Sequence, residues 1–246
     1  MRQFGLIGYP LGHSFSKGYF TEKFDREGID AVYNNYPMAS VQEVPALLLT
    51  NPLLEGFNIT IPHKETIIPF LHSANEVVKT IGACNCIRIR DGKLQGFNTD
   101  VIGFELSLKK YLKKEHDKAL VFGTGGASKA VQYVLSKLGI EFIIASRKVE
   151  GNGATINYES LSEDLLRSST LWINTTPVGM HPNEDAILPL NYDAIGARHY
   201  LYDLVYNPAE TRFLKEGKQR GAAIENGYDM LIIQAEESWR IWNSIE

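Results

Sequence analysis

The sequence predicts an α/β fold made of two α/β units in tandem, the second of the Rossmann, dinucleotide-binding type. Three observations carry this. Short apolar runs alternate with helix-spaced segments along the chain from Gln3 to Trp242, the pattern of strands joined by crossover helices. One run, Ala119 to Phe122, stops at the glycine cluster Gly123-Thr124-Gly125-Gly126-Ala127; a helical spacing over Ser128 to Leu138 and a second run over Phe142 to Ala145 follow. That order reads as strand, tight turn, helix and parallel strand. A strand-helix alternation is already established before residue 60, so a separate α/β unit precedes the glycine turn.

The bulk properties bound the function. With 246 residues, 44% of them hydrophobic, the chain can bury a substantial core in one large or two small domains. A net charge of -4 and a pI near 5.9 give no sign of a nucleic-acid surface or of a membrane-attracted basic face. No apolar run approaches transmembrane length, and Met1 to Ile7 lacks a signal-peptide core, so a cytoplasmic location is expected. Cys84 and Cys86 are the only cysteines, too close for an unstrained bridge and too few for a structural zinc site. Reduced, buried thiols are expected. No two histidines stand at i, i+4, and no metal site is expected.

Gln3 to Ile7 forms the first strand, and a loop leads to Ser14-Phe15-Ser16 at the start of a helix reaching Glu27. An N-cap accounts for one serine; two hydroxyls beside unpaired helix N–H groups also make a carboxylate cradle. Ala31 to Tyr36 is the second strand and Val41 to Leu49 a helix. In Gly56-Phe57-Asn58-Ile59-Thr60-Ile61-Pro62-His63-Lys64 the apolar residues alternate with Asn58 and Thr60, which puts both polar side chains on one face. Lys64 is expected at a helix start, the unfavourable end of the macrodipole, where a surface role explains it poorly and an acid or base role in a cleft explains it better. Ser73 and Glu76 read as a capping box for a helix over Val77 to Ile81. The segment from Gly82 through the Asp91-Gly92 turn to Gly96 reads as a hairpin. Asp100 reads as the N-cap of a helix from Val101 to about Lys113.

The glycine turn suits a pyrophosphate: Gly123 allows the sharp turn, and Gly125 and Gly126 let phosphate oxygens approach N–H groups at the helix N-terminus. A glycine-rich turn without a ligand has the same sequence, and Ser128 takes the place of a third glycine. The second strand ends in Ser146-Arg147-Lys148 rather than in an acidic residue, a hydroxyl and two cations that fit a 2′-phosphate and favour NADP over NAD. Beyond it the expected elements are a loop over Gly151 to Asn157, a helix from Glu159 to Arg167 and a strand from Thr170 to Asn174. Then come a strand from His199 to Val205, a helix from Glu210 to Gly221, a strand from Ala222 to Glu225 and a last helix to Trp242.

Taken together, the segments GFNITIPHK, GACN, GFNTD, GTGGASKA, NTTPVGM and NGYDMLIIQA resemble, in order and over essentially the whole chain, the signature segments of the shikimate dehydrogenases. The resemblance implies a substrate-binding and catalytic domain over 1–100 and an NADP-binding Rossmann domain over 101–227. A C-terminal helix, 228–246, would return to the first domain. It implies reversible NADPH-dependent reduction of 3-dehydroshikimate in chorismate and aromatic amino-acid biosynthesis, with Lys64 and Asp100 as the catalytic pair. Ser14, Ser16, Asn58, Thr60, Asn85, Tyr206 and Gln234 match positions that hold the substrate. Gly123, Gly125, Gly126, Ala127, Ser146, Arg147 and Lys148 match phosphate contacts, and Thr175, Leu204, Gly227 and Met230 match positions near the nicotinamide. Three departures stand out. The family's SxSPxxH keeps Ser14 and Ser16 but has Lys17 and Phe20 for the proline and histidine; Asn-Thr reads Asn85-Cys86; and Asn-Arg-Thr reads Ser146-Arg147-Lys148. Competing expectations are a quinate or mixed quinate/shikimate dehydrogenase using NAD, which Arg147 and Lys148 oppose, and a non-catalytic metabolite or nucleotide sensor, which retention of Lys64 and Asp100 opposes. A Rossmann dehydrogenase acting on a folate carbon unit would not need this set of hydroxyl ligands. The expected partner is a small-molecule substrate, with no nucleic acid and no membrane, for a monomer or homodimer.

Overall fold

The computed structural model describes residues 1–11, 14–147 and 155–244. The chain divides into two compact units, Met1–Thr99 with Gln234–Glu246, and Asp100–Ile233.

In the first unit the elements are β1 (Arg2–Gly8), α1 (Phe15–Glu27), β2 (Ala31–Pro37), α2 (Val44–Thr50), β3 (Leu54–Ile59), β4 (Ser73–Ala74), α3 (Glu76–Ile81), β5 (Cys86–Arg90) and β6 (Lys93–Phe97). The strands form one sheet of order β2-β1-β3-β5-β6-β4, parallel through β2, β1 and β3 and antiparallel across β3-β5-β6. Asp91 and Gly92 both take left-handed φ values, 50° and 70°, which close the β5–β6 hairpin with a twist matching the strands. Ile7, Phe57, Ile59 and Ile87 pack with Val44, Leu47 and Val78 on one face. Phe4, Phe20, Phe24, Tyr33 and Trp242 pack on the other. Because β3 is covered on both sides, Phe57, Asn58 and Ile59 are all buried, and the polar side chain of Asn58 must find its partners inside.

Several local expectations change. Residues 41–43 form a 3-10 turn with a Ser40–Glu43 capping box before the shorter α2, where Pro45 fits the first turn. β3 stops at Ile59, and Ile61 is exposed in the turn closed by His63 N–H to Thr60 C=O. Lys64 follows that turn and lies in no α-helix: Pro62 and Pro69 bracket the segment too closely for one, leaving a 3-10 turn over Ile68–Phe70. The macrodipole argument for Lys64 therefore lapses. Asn75, not Ser73, caps α3, and Ser73 sits in β4 paired with Gln95 of β6. The histidine expected by family likeness is Phe20, fully buried and stacked on Tyr33 at 4.7 Å.

In the second unit the elements are α4 (Asp100–Leu108), β7 (Lys118–Phe122), α5 (Gly126–Lys137), β8 (Glu141–Ala145), β9 (Thr155–Ile156), α6 (Glu163–Ser168), β10 (Leu171–Asn174), β11 (Tyr200–Asp203), α7 (Arg212–Gln219), β12 (Ala223–Glu225) and α8 (Tyr228–Asn243), whose later turns belong to the first unit. The sheet is parallel throughout, ordered β12-β11-β10-β7-β8-β9. The strand order reverses between β7 and β10, the switch point at which open α/β sheets bind ligands. β9 stands where a loop was expected, and α4 ends five residues early.

Candidate active site

In the first unit Ser16, Asn58, Asn85 and Gln234, all singled out by sequence, belong to one polar network. Asn58, at the edge of β3, accepts the Tyr33 hydroxyl at 2.9 Å and donates to the Asn85 carbonyl at 3.2 Å and the Ser238 hydroxyl at 2.9 Å. Asn85 in turn accepts the Thr99 N–H at 2.7 Å and donates to the Thr99 hydroxyl, which reaches the Gln234 side chain at 3.3 Å. Ser16, in the first turn of α1, hydrogen-bonds Tyr33, whose phenol burial holds far above its ordinary pKa and hence neutral. Ser14 caps α1 by accepting the Lys17 N–H. Thr60 donates its N–H to the Ile7 carbonyl.

The segment Gly82–Cys86 is the common anchor. The Cys84 N–H binds the Lys64 carbonyl at 2.7 Å, which fixes the backbone from which the Lys64 side chain leaves. Asn98 donates to the Ala83 carbonyl at 3.0 Å and Asn85 holds Thr99, so the strand end leading into Asp100 is held by the same segment. Asp100 itself is buried in the first turn of α4. His63, also buried, binds the Met38 carbonyl through Nε2 at 2.7 Å and secures the other side of Lys64. Tyr33, Thr99 and Ser238 were not singled out from sequence. Ser238 carried a usable signal: it stands four residues after Gln234, on the same helical face.

In the second unit the glycine turn follows β7 at the switch point. Gly123 has φ 110°, and a Cβ there would lie 2.7 Å from the Thr175 hydroxyl, so glycine is required. Thr175 donates that hydroxyl and its N–H to the Phe122 carbonyl, binding the loop after β10 to the turn. Gly125 is the N-cap of α5, supplies no side-chain cap, and a Cβ there would meet nothing within 4 Å. Gly126 and Ala127 open the helix behind it. The first N–H groups of α5 thus face an approach free of side chains, the geometry a pyrophosphate needs. Ser128 explains the missing third glycine: fully buried, it donates to the Gly123 carbonyl at 2.7 Å and ties helix to turn.

Ser146 follows β8 and donates its N–H to the Ile156 carbonyl. Arg147 is exposed and borders a cavity of about 420 Å³ together with Tyr158, Thr176 and Pro177. Burial raises the Tyr158 pKa, opposed by the Arg147 charge. This exposed cation at the end of the second strand fits an NADP 2′-phosphate. Lys148 lies outside the described residues. Leu204 and Gly227 meet directly, since a Gly227 Cβ would fall 2.1 Å from the Leu204 carbonyl oxygen. Met230 is buried in the first turn of α8. Tyr206 is half-buried, and burial raises its pKa. Among the described residues there is no cluster of three or more metal-ligating side chains, and no helix is long and apolar enough to cross a membrane.

The family model described as the shikimate dehydrogenase substrate binding domain matches residues 6–87. The NADP(+) shikimate dehydrogenase of Staphylococcus epidermidis is 36% identical over 99% of this chain and 93% of its own length. Shikimate 5-dehydrogenase from Thermus thermophilus, solved in complex with NADP(H) and shikimate, superposes with a TM-score of 0.86 at 29% identity, covering 99% of this chain and 94% of that one. Quinate dehydrogenase from Corynebacterium glutamicum, solved with NAD, superposes with a TM-score of 0.88 at 26% identity, covering 100% and 94%. By sequence, fold and the residues gathered at both sheet edges, this chain belongs to the shikimate dehydrogenase family.

Proposed function

We propose that the chain is an NADP-dependent oxidoreductase that reduces 3-dehydroshikimate to shikimate, reversibly, as a step of chorismate and aromatic amino-acid biosynthesis. The observation that supports it most is the Gly82–Cys86 anchor, which fixes the Lys64 backbone and the approach to Asp100 by hydrogen bonds from consecutive residues. A catalytic pair needs such fixed placement.

The cofactor, when bound, supplies the hydride to the ketone carbon. Negative charge then develops on the carbonyl oxygen, and the Lys64 ammonium donates the proton that neutralises it, taking it back in the reverse direction. Asp100 orients that ammonium and accepts a hydrogen bond from a substrate hydroxyl. Ser14 and Ser16 hold the carboxylate at the start of α1, and Asn58, Thr60, Asn85, Tyr206 and Gln234 hold the ring hydroxyls. The neutral Tyr206 phenol acts as a donor. An analogue that leaves one of these buried groups unpaired loses about 1–3 kcal/mol. Gly123, Gly125, Gly126 and Ala127 receive the pyrophosphate, Ser146, Arg147 and Lys148 the 2′-phosphate, and Thr175, Leu204, Gly227 and Met230 flank the nicotinamide. We assign residues 1–100 with the C-terminal helix, 228–246, to substrate and 101–227 to NADP. Each chain carries a full set of these residues, so a monomer suffices and a homodimer would hold two sites. Cys84 and Cys86, neither in a disulfide, suit a reducing cytoplasm.

The test is nicotinamide absorbance with shikimate or quinate and NADP or NAD, in all four combinations. Rapid turnover with shikimate and NADP supports the reading. Faster turnover with quinate or NAD moves the chain to the quinate dehydrogenases, and tight binding without turnover makes it a sensor.

A further inference from the structure

We propose that Asp203 is a positioning residue for the cofactor, whose carboxylate ties the loop after β10, the loop after β11 and the start of α7 into one rigid ligand edge. This rests on the reading of the second unit as the NADP(H)-binding unit. Asp203 is the last residue of β11 and is fully buried. One carboxylate oxygen accepts the Val205 N–H at 3.0 Å and the Asn174 side-chain amide at 2.9 Å; the other accepts the Thr211 hydroxyl at 2.6 Å. Its hydrogen-bond partners are all neutral donors, so the charge depends on their convergence.

Each donor leads to a different segment. Asn174 ends β10, pairs with Asp203 in register, and passes the constraint outward by accepting the Thr176 N–H at 3.0 Å and hydroxyl at 2.6 Å. Thr175 lies between these two residues and is bonded to the Phe122 carbonyl at the glycine turn. Val205 follows Leu204, whose own N–H binds the Asn174 carbonyl at 2.9 Å and whose carbonyl packs against Gly227. Thr211 is the N-cap of α7. The carboxylate therefore sets the spacing between Thr175 and Leu204, side by side at the carboxyl ends of adjacent strands, where ligands of such sheets bind. Neither oxygen is available to a ligand, so the residue acts through its neighbours. Asparagine offers one acceptor oxygen for three donors and turns an N–H₂ group toward one of them. Burial raises the Asp203 pKa to about 7, as expected for a carboxyl without a cation.

The experiment compares the full-length wild type with Asp203→Asn, Thr211→Val and Thr211→Ser, at a temperature where circular dichroism shows each folded. It measures the NADP+ Kd by titration and the KM for NADP+ and shikimate separately. For Asp203→Asn the NADP+ Kd and KM should rise by about fivefold or more with shikimate KM within about twofold, the pattern of misplaced cofactor contacts. Thr211→Val should shift NADP+ in the same direction by less, and Thr211→Ser, which keeps the hydroxyl, should restore it. Folded variants with unchanged NADP+ affinity, or with both KM values raised alike, overturn the proposal. If Asp203→Asn does not fold, the Thr211 pair decides. A wild type that binds neither NADP+ nor NAD+ overturns the functional reading and this proposal with it, an outcome distinct from variants that keep wild-type affinity.

Discussion

Two side chains and one glycine carry most of what is testable at the residue scale. Removing Lys64 by Lys64→Ala should lower kcat by about 10²–10⁴-fold, the usual contribution of a positioned proton donor, with a much smaller change in shikimate affinity; steady-state kinetics and a binding titration check the split. Gly227→Ala pushes a Cβ into the Leu204 carbonyl oxygen and should cost about 1–3 kcal/mol or more of stability, read as a lowered midpoint in urea. Asp203 has its folded pKa raised to about 7, against an ordinary unfolded value near 3.9. The sign follows: its contribution is fully present below the unfolded pKa and is lost as pH rises through about 7, by roughly 4 kcal/mol in all at 1.4 kcal/mol per unit. Asp203→Asn should therefore lose more relative to wild type at pH 5 than at pH 8, measured by denaturation at both. Sequence made Lys64 and Gly227 legible through motif likeness, but nothing local marks Asp203: it reads as the polar end of a strand, and its three donors come from positions 174, 205 and 211.

At the scale of elements, α8 illustrates how a helix is fixed by the sheet it covers. Trp242 is fully buried, stacks on Phe4 at 4.7 Å, donates its indole N–H to the Ile87 carbonyl at 2.9 Å and lies over Gly56, where a Cβ would come within 2.4 Å of it. Arg88 and Arg90 of β5 donate to the Ile241 and Trp242 carbonyls and satisfy the helix end. The same face presents Gln234 and Ser238 to the polar network. Trp242→Ala should cost about 3–5 kcal/mol and weaken shikimate binding more than NADP+ binding; denaturation and two separate titrations test this. The helix was legible from its apolar spacing. Its seating on Gly56 was not, because a glycine within a strand looks the same whether it serves a turn or a tryptophan 186 positions away. The segment after β3 shows the converse: a lysine after Pro62 suggested a helix start, and Pro69 with the Cys84 bond settled a turn instead.

Over the whole molecule, each unit has its own sheet and hydrophobic core, and Cys84 and Cys86 are both buried in the first. An aromatic disulfide reagent should find no fast-reacting thiol in the native protein and two after unfolding, since burial also pushes the Cys86 thiol well above its ordinary pKa; the absorbance of the released thiolate counts them. What the sequence determined by itself was the alternation of strands and helices, the glycine turn and the polar residues at strand ends, because periodicity and turn chemistry act over a few neighbouring residues. Only the tertiary structure decided that Gly82–Cys86 anchors both Lys64 and the approach to Asp100, that Ser128 replaces a glycine by bonding Gly123, and that Asp203 joins the end of β10 to the start of the loop after β11 and to the start of α7. Those arrangements depend on how turns, loops and strand ends are brought together, and a buried donor or acceptor finds its partner only after the sheets and helices have packed.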